Sequence, residues 1–105
     1  MALELNQHVE ENVHVLRVAG EVDLYSSPEL RKAVQTTLDQ ACDRIHIDLS
    51  AVDYMDSSGV ATLVEGMRNA RSNDVAFILY APSEPVMKVL TLSRLDSIFD
   101  IAEAG

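Results

Sequence analysis

Asp48-Leu49-Ser50-Ala51-Val52-Asp53-Tyr54-Met55-Asp56-Ser57-Ser58-Gly59-Val60 is the stretch on which the reading of this chain turns. The alternating run Arg44-Ile45-His46-Ile47 leads into it, acidic residues follow, and a serine pair then opens a helical pattern. A strand, a polar loop and a helix N-terminus are expected in that order. Val60, Leu63, Val64 and Met67 recur at i, i+3, i+4 and i+7, which predicts a helix over about residues 57–69 with that face buried. The first turn of a helix leaves N–H groups without intrahelical partners and carries partial positive charge. It therefore takes a hydroxyl or carboxylate cap, or receives an anion such as a phosphate. Ser57 and Ser58 are accordingly caps, a switch, or one of each.

A helical wheel divides the pair. Advancing about 100° per residue from the apolar stripe puts Ser58 roughly opposite it, on the side of Thr62, Glu65 and Asn69, and Ser57 nearer the buried side. An accessible hydroxyl is thus expected at Ser58, and a structural one at Ser57 or a carboxylate cap at Asp56. Gly59 has no side chain, which lets a macromolecule approach the backbone closely there.

Outward from this segment, the chain reads as strands alternating with helices. Leu3, Leu5 and Val9 partly alternate with polar residues, and after Glu10-Glu11-Asn12 a second run begins at Val13, so a β-hairpin is expected. Gly20 breaks the second strand, and Ser26-Ser27-Pro28-Glu29 starts a helix whose apolar face is Leu30, Val34, Leu38 and Ala41. The strand at residues 44–49 then lies parallel to the second one, because a helix connects them. Ser72-Asn73-Asp74 ends the serine helix, and residues 75–80 form a continuous apolar run suited to a third parallel strand. Pro82-Ser83-Glu84-Pro85 starts a third helix with the stripe Val86, Val89 and Leu90, ending near Ser93. In the last ten residues, Leu95, Ile98, Phe99 and Ile101 are apolar enough to pack, without distinguishing helix from strand.

Composition narrows the function. At 105 residues the chain suits one hydrophobic core, so residues 1–105 are expected to form a single domain. A formal charge of −9 opposes binding to nucleic acid or anionic lipid and favours a basic partner. Cys42 is the one cysteine, which excludes an internal disulfide and fits a reducing compartment. No basic leader and no run of roughly 18 apolar residues occurs, so a soluble, cytoplasmic protein is expected.

Enzymatic chemistry finds little support. The Gly-x-Ser-x-Gly elbow is absent around Ser57 and Ser58, and His8, His14 and His46 all fall within expected strands, as surface residues. The same placement argues against a histidine metal site. Asp23, Asp53 and Asp56 can be read as a cation cluster at neighbouring strand ends, but solvated loop acids are the simpler reading. Neither a cofactor nor a metal is expected.

Gly20-Glu21-Val22-Asp23 leading into Pro28-Glu29-Leu30, then Ile47-Asp48-Leu49-Ser50 and Met55-Asp56-Ser57-Ser58-Gly59-Val60, resemble the STAS domain family, in particular its bacterial anti-sigma-factor antagonists. The apolar run at residues 75–80 and the helix from Val86 to Leu95 extend the likeness over essentially the whole chain. The resemblance implies an α/β fold, with a small mixed sheet of four or five strands and helices mainly on one face. It also implies a non-enzymatic switch. In such antagonists the serine directly before the glycine, here Ser58, is phosphorylated by a GHKL-type serine kinase that is also the anti-sigma factor. The unphosphorylated form binds that kinase and frees the sigma factor, and a PP2C-type phosphatase restores it. Asp23 matches an acidic position beside the phosphoserine.

A partner is then expected to meet Asp23, Asp56, Ser57, Ser58, Gly59 and Thr62, and the chain itself to be a monomer. A different class uses the same fold: a cytoplasmic STAS subunit bound to the ATPase of a phospholipid-transport ABC complex.

Overall fold

The computed structural model describes residues 3–40 and 42–104. Strand β1 (Glu4–Glu10) turns into β2 (Val13–Val22) through Glu11 and Asn12, whose φ angles of 47° and 70° are those of a two-residue hairpin turn with both central residues left-handed. Helix α1 (Ser27–Leu38) leads to β3 (Arg44–Met55), helix α2 (Ser57–Ser72) to β4 (Ala76–Tyr80), and helix α3 (Glu84–Leu92) to β5 (Asp100–Ala102). β1 is antiparallel to β2, while β2, β3, β4 and β5 are parallel, as strands joined by helical crossovers must be. The sheet order is β1-β2-β3-β4-β5, the same as the chain order.

Period-two alternation decides which sheet face the helices cover. Leu16, Val18 and Val22 of β2, Ile45, Ile47 and Leu49 of β3, and Phe77 and Leu79 of β4 are all buried. They form one cluster with Leu30 and Val34 of α1, Leu63 and Met67 of α2, and Val86 and Leu90 of α3. Residues between them point to the other face, where His46 stacks on Tyr80 with ring centroids 5.9 Å apart and planes 8° from parallel. The fold is thus α/β with a five-stranded mixed sheet and helices on one face. Among the described residues no helix is long and apolar enough to cross a membrane.

Several local expectations are corrected. Gly20 does not break β2: it adopts φ 105° inside the strand, between two register shifts against β3, so its freedom serves a bulge. Residues 50–55 are not a polar loop but continue β3, with Val52 and Met55 buried. Beyond the end of β4, this extension is held by Ser83, which donates from its N–H to Leu49 O (3.2 Å) and from its hydroxyl to Val52 O (2.6 Å). His14 is buried rather than on the surface, because it takes an inward position beside Val9 and Ile45. The tail resolves as a turn that buries Phe99 and then β5. Ala41, expected on the apolar face of α1, lies outside the described residues.

Candidate functional site

The site lies at the carboxyl ends of β2 and β3. The Asp56 N–H donates to Val22 O (3.2 Å), tying the last residue before α2 to the end of β2. Asp56 has extended backbone angles and is the N-cap of α2. Its Oδ1 accepts from the Ser58 N–H (3.0 Å), the Gly59 N–H (3.3 Å) and the Ser58 hydroxyl (2.5 Å). One carboxylate thus satisfies two of the orphan amides of the first turn and also holds the serine hydroxyl. Asp56→Ala should cost about 1–2 kcal/mol in chemical denaturation, while Asp56→Asn, an equally good cap, recovers most of it. Equal losses in both variants would contradict the capping role.

The two serines are placed opposite to the wheel's assignment. Ser57 is exposed and Ser58 half-buried, and Thr62, expected on the open side with Ser58, is 1% exposed. The reason is that α2 is covered on two sides, by the sheet and by α1. Gly66 shows it, since a Cβ there would lie 3.0 Å from Val34 Cγ1 of α1 and 3.1 Å from Phe77 Cε1 of β4. Thr62 turns its hydroxyl back to Ser58 O (2.9 Å) within this crevice. Gly59 is also buried, facing Val22 and Met55, so its missing side chain serves internal packing and not the approach of a partner.

Asp23 lies beside this turn, directly after Val22. Its Oδ1 accepts from the N–H groups of Tyr25 and Ser26, both at 2.9 Å. Ser26, formally the N-cap of α1, makes no cap bond but directs its hydroxyl to Glu21 O (2.8 Å) and accepts from the Asp23 N–H (2.9 Å). Hydrogen bonding, led by the Ser26 N–H, holds the Asp23 carboxyl below its ordinary value of 3.8, against a smaller opposing effect of burial. A depressed carboxylate stabilises the fold fully above its ordinary value, and this is lost as pH falls through the lower folded-state value. In an NMR titration the Asp23 carboxyl should therefore have its midpoint below 3.8, with the Tyr25 and Ser26 amides shifting at the same midpoint. A midpoint at 3.8 or higher would rule the clasp out.

Residues 18–30 and 45–67, which include the carboxyl ends of β2 and β3 and the starts of α1 and α2, contain no Lys or Arg, while Glu21, Asp23, Glu29, Asp53 and Asp56 all fall within them. Among the described residues, no group of three or more His, Cys, Asp or Glu side chains is arranged to hold a metal ion. Asp23 and Asp56 are brought to adjacent strand ends, whereas Asp53 is an exposed residue of β3. Sequence reasoning passed over Leu24, Tyr25 and Tyr54, large apolar side chains left in solvent around the serine turn. Their signal is an apolar pair, Leu24-Tyr25, lying between a strand end and a helix start and belonging to the period of neither.

The model of the STAS domain matches residues 4–104. The anti-sigma-B factor antagonist of Bacillus subtilis (strain 168) is 30% identical over 102 residues, covering 95% of this chain and 93% of that protein. Among solved structures, the anti-sigma factor antagonist SpoIIAA in its unphosphorylated form is similar with a TM-score of 0.79 at 30% identity, over 99% of this chain and 89% of that one. The phosphorylated form of the Bacillus cell fate determinant SpoIIAA gives 0.74 at 28% identity, over 99% of this chain and 92% of that one. With its sheet, its three crossover helices and its serine turn all inside the matched span, this chain belongs to the STAS domain family.

Proposed function

We propose that this chain is an anti-sigma factor antagonist that works by partner switching. Unphosphorylated, it binds a GHKL-type serine kinase that is also the anti-sigma factor, and so frees the sigma factor; phosphorylation of Ser58 ends the contact until a PP2C-type phosphatase removes the phosphate. It acts as a monomer in the cytoplasm and performs no catalysis itself. The observation that carries this reading is the Ser58 hydroxyl, half-buried at the start of α2 and bound to the Asp56 carboxylate, between chain segments that contain no Lys or Arg. Similarity to antagonists, one of them solved in both unphosphorylated and phosphorylated forms, supports it.

The geometry suggests how a phosphate acts there. Phosphoryl transfer replaces the hydroxyl hydrogen that Asp56 accepts and adds about −1.5 to −2 charges beside that carboxylate. Phosphate and Asp56 then compete for the same two amides, of Ser58 and Gly59. The core beneath is untouched, so the change is one of local surface and cap.

Purified protein incubated with the kinase and ATP should gain one phosphate, mapped to Ser58 by mass spectrometry. Ser58→Ala should keep kinase binding and Ser58→Asp should weaken it at least about tenfold, the 1.4 kcal/mol expected of an unpaired charge in a contact. Equal binding by Ser58→Ala, Ser58→Asp and the phosphorylated protein would defeat the reading. So would stable association with a transporter ATPase and no modification.

A further inference from the structure

Three large apolar side chains stand in water beside the serine turn: Tyr25 is 88% exposed, Leu24 68% and Tyr54 49%. Backbone pairing puts all three at the same end of the sheet. Tyr54 sits opposite Glu21 in the β2–β3 register, the next pair is Met55 with Val22, Asp56 bonds back to Val22, and Leu24 and Tyr25 follow directly after Asp23. Among the described residues the other large exposed apolar side chains, Val9 on β1 and Leu92 on α3, stand singly on other elements. Nor are Leu24 and Tyr25 on a loose loop: Asp23 and Ser26 clasp the segment at both ends with bonds of 2.8–2.9 Å.

Apolar side chains held rigidly in solvent are the usual anchors of protein contacts, where a few aromatics supply most of the affinity. Glu21, Asp23, Glu29, Asp53 and Asp56 in the same two segments, which contain no Lys or Arg, set the charge that the opposite surface must carry. We propose that Leu24, Tyr25 and Tyr54 anchor this chain to a protein partner that presents an apolar cleft edged by Lys or Arg, and that phosphorylated Ser58 releases the partner through desolvation. This rests on the switch reading. A basic-edged partner is attracted by an added negative charge, so repulsion does not account for release. The partner's basic residues edge the cleft and do not line its apolar floor, so a dianionic phosphate shut against that floor loses its water without a matched charge, and that cost does account for it.

The test measures binding of the purified GHKL-type kinase of the same organism, without ATP, to the intact protein and its variants by isothermal titration calorimetry. Tyr25→Ser and Leu24→Ser should each weaken binding about 10- to 30-fold, with Tyr25→Phe close to the parent and the thermal midpoints of all three unchanged. The Ser58-phosphorylated protein should show the same fold loss at about 0.05 M and about 0.5 M salt, since screening acts on exposed charges and not on desolvation. If the parent chain binds the kinase and the serine variants bind as well as it does, the anchors are wrong and the switch reading stands. A phosphorylation effect that vanishes at high salt overturns release by desolvation. No binding of the kinase by the parent chain overturns the switch reading, and the anchoring with it.

Discussion

Gly59→Val should lower the stability of the domain by about 3 kcal/mol, at the upper end of what overpacking a core costs. At roughly 4–8 °C per kcal/mol for a domain of this size, the thermal midpoint should fall by about 12–24 °C. The first Cβ already meets Met55 Cγ at 2.6 Å and Val22 Cγ1 at 2.8 Å, and Val adds two methyl groups in the same space. Val22 is fully buried and Met55 nearly so, at the ends of the two strands that carry the site, so neither can retreat without shifting the serine turn. Gly59→Ala should lose less, about 1–2 kcal/mol, because better helix propensity offsets part of the clash. Circular dichroism melts of both variants check this, and a valine variant as stable as the parent would mean that Gly59 is not packed where it is described.

Leu63→Ala should cost about 2–5 kcal/mol, the range for deleting a large buried aliphatic side chain and leaving a cavity behind. Leu63 is fully buried on the sheet face of α2, one turn beyond the serines, and belongs to the cluster shared by all three helices. Total stability of a small domain is only about 5–15 kcal/mol, so this one truncation removes a large part of it. Urea denaturation should show a lower midpoint with an unchanged slope. A loss below about 1 kcal/mol would mean that α2 is held mainly by its cap and by α1.

Much of the architecture follows from strong local signals. The Val13 and Ile45 runs alternate cleanly, Pro28 and Pro85 mark helix starts, and Val60, Leu63 and Met67 repeat at helical spacing; these placed β2, β3 and all three helices in order. What escaped were features decided by neighbours far away in the chain. Residues 50–55 look polar because Ser50 and Asp53 face solvent, but pairing with β2 and the grip of Ser83 keep them extended. The wheel assumed one buried stripe on α2, whereas α1 adds a second and buries Thr62. Asp56 as cap was one of two options left open by the residues, and three hydrogen bonds at one oxygen decide between them.

That the spatial order of the strands repeats their order along the chain bears on how the protein is made. No later strand has to insert between two earlier ones, so the sheet can lengthen at a single growing edge while the chain leaves the ribosome. Once residue 80 has emerged, four of the five strands and both helices around the serine turn are available to dock. The three-residue β5 then joins at that same edge, and Ser83, just before α3, fixes the end of β3 that leads into the serine turn.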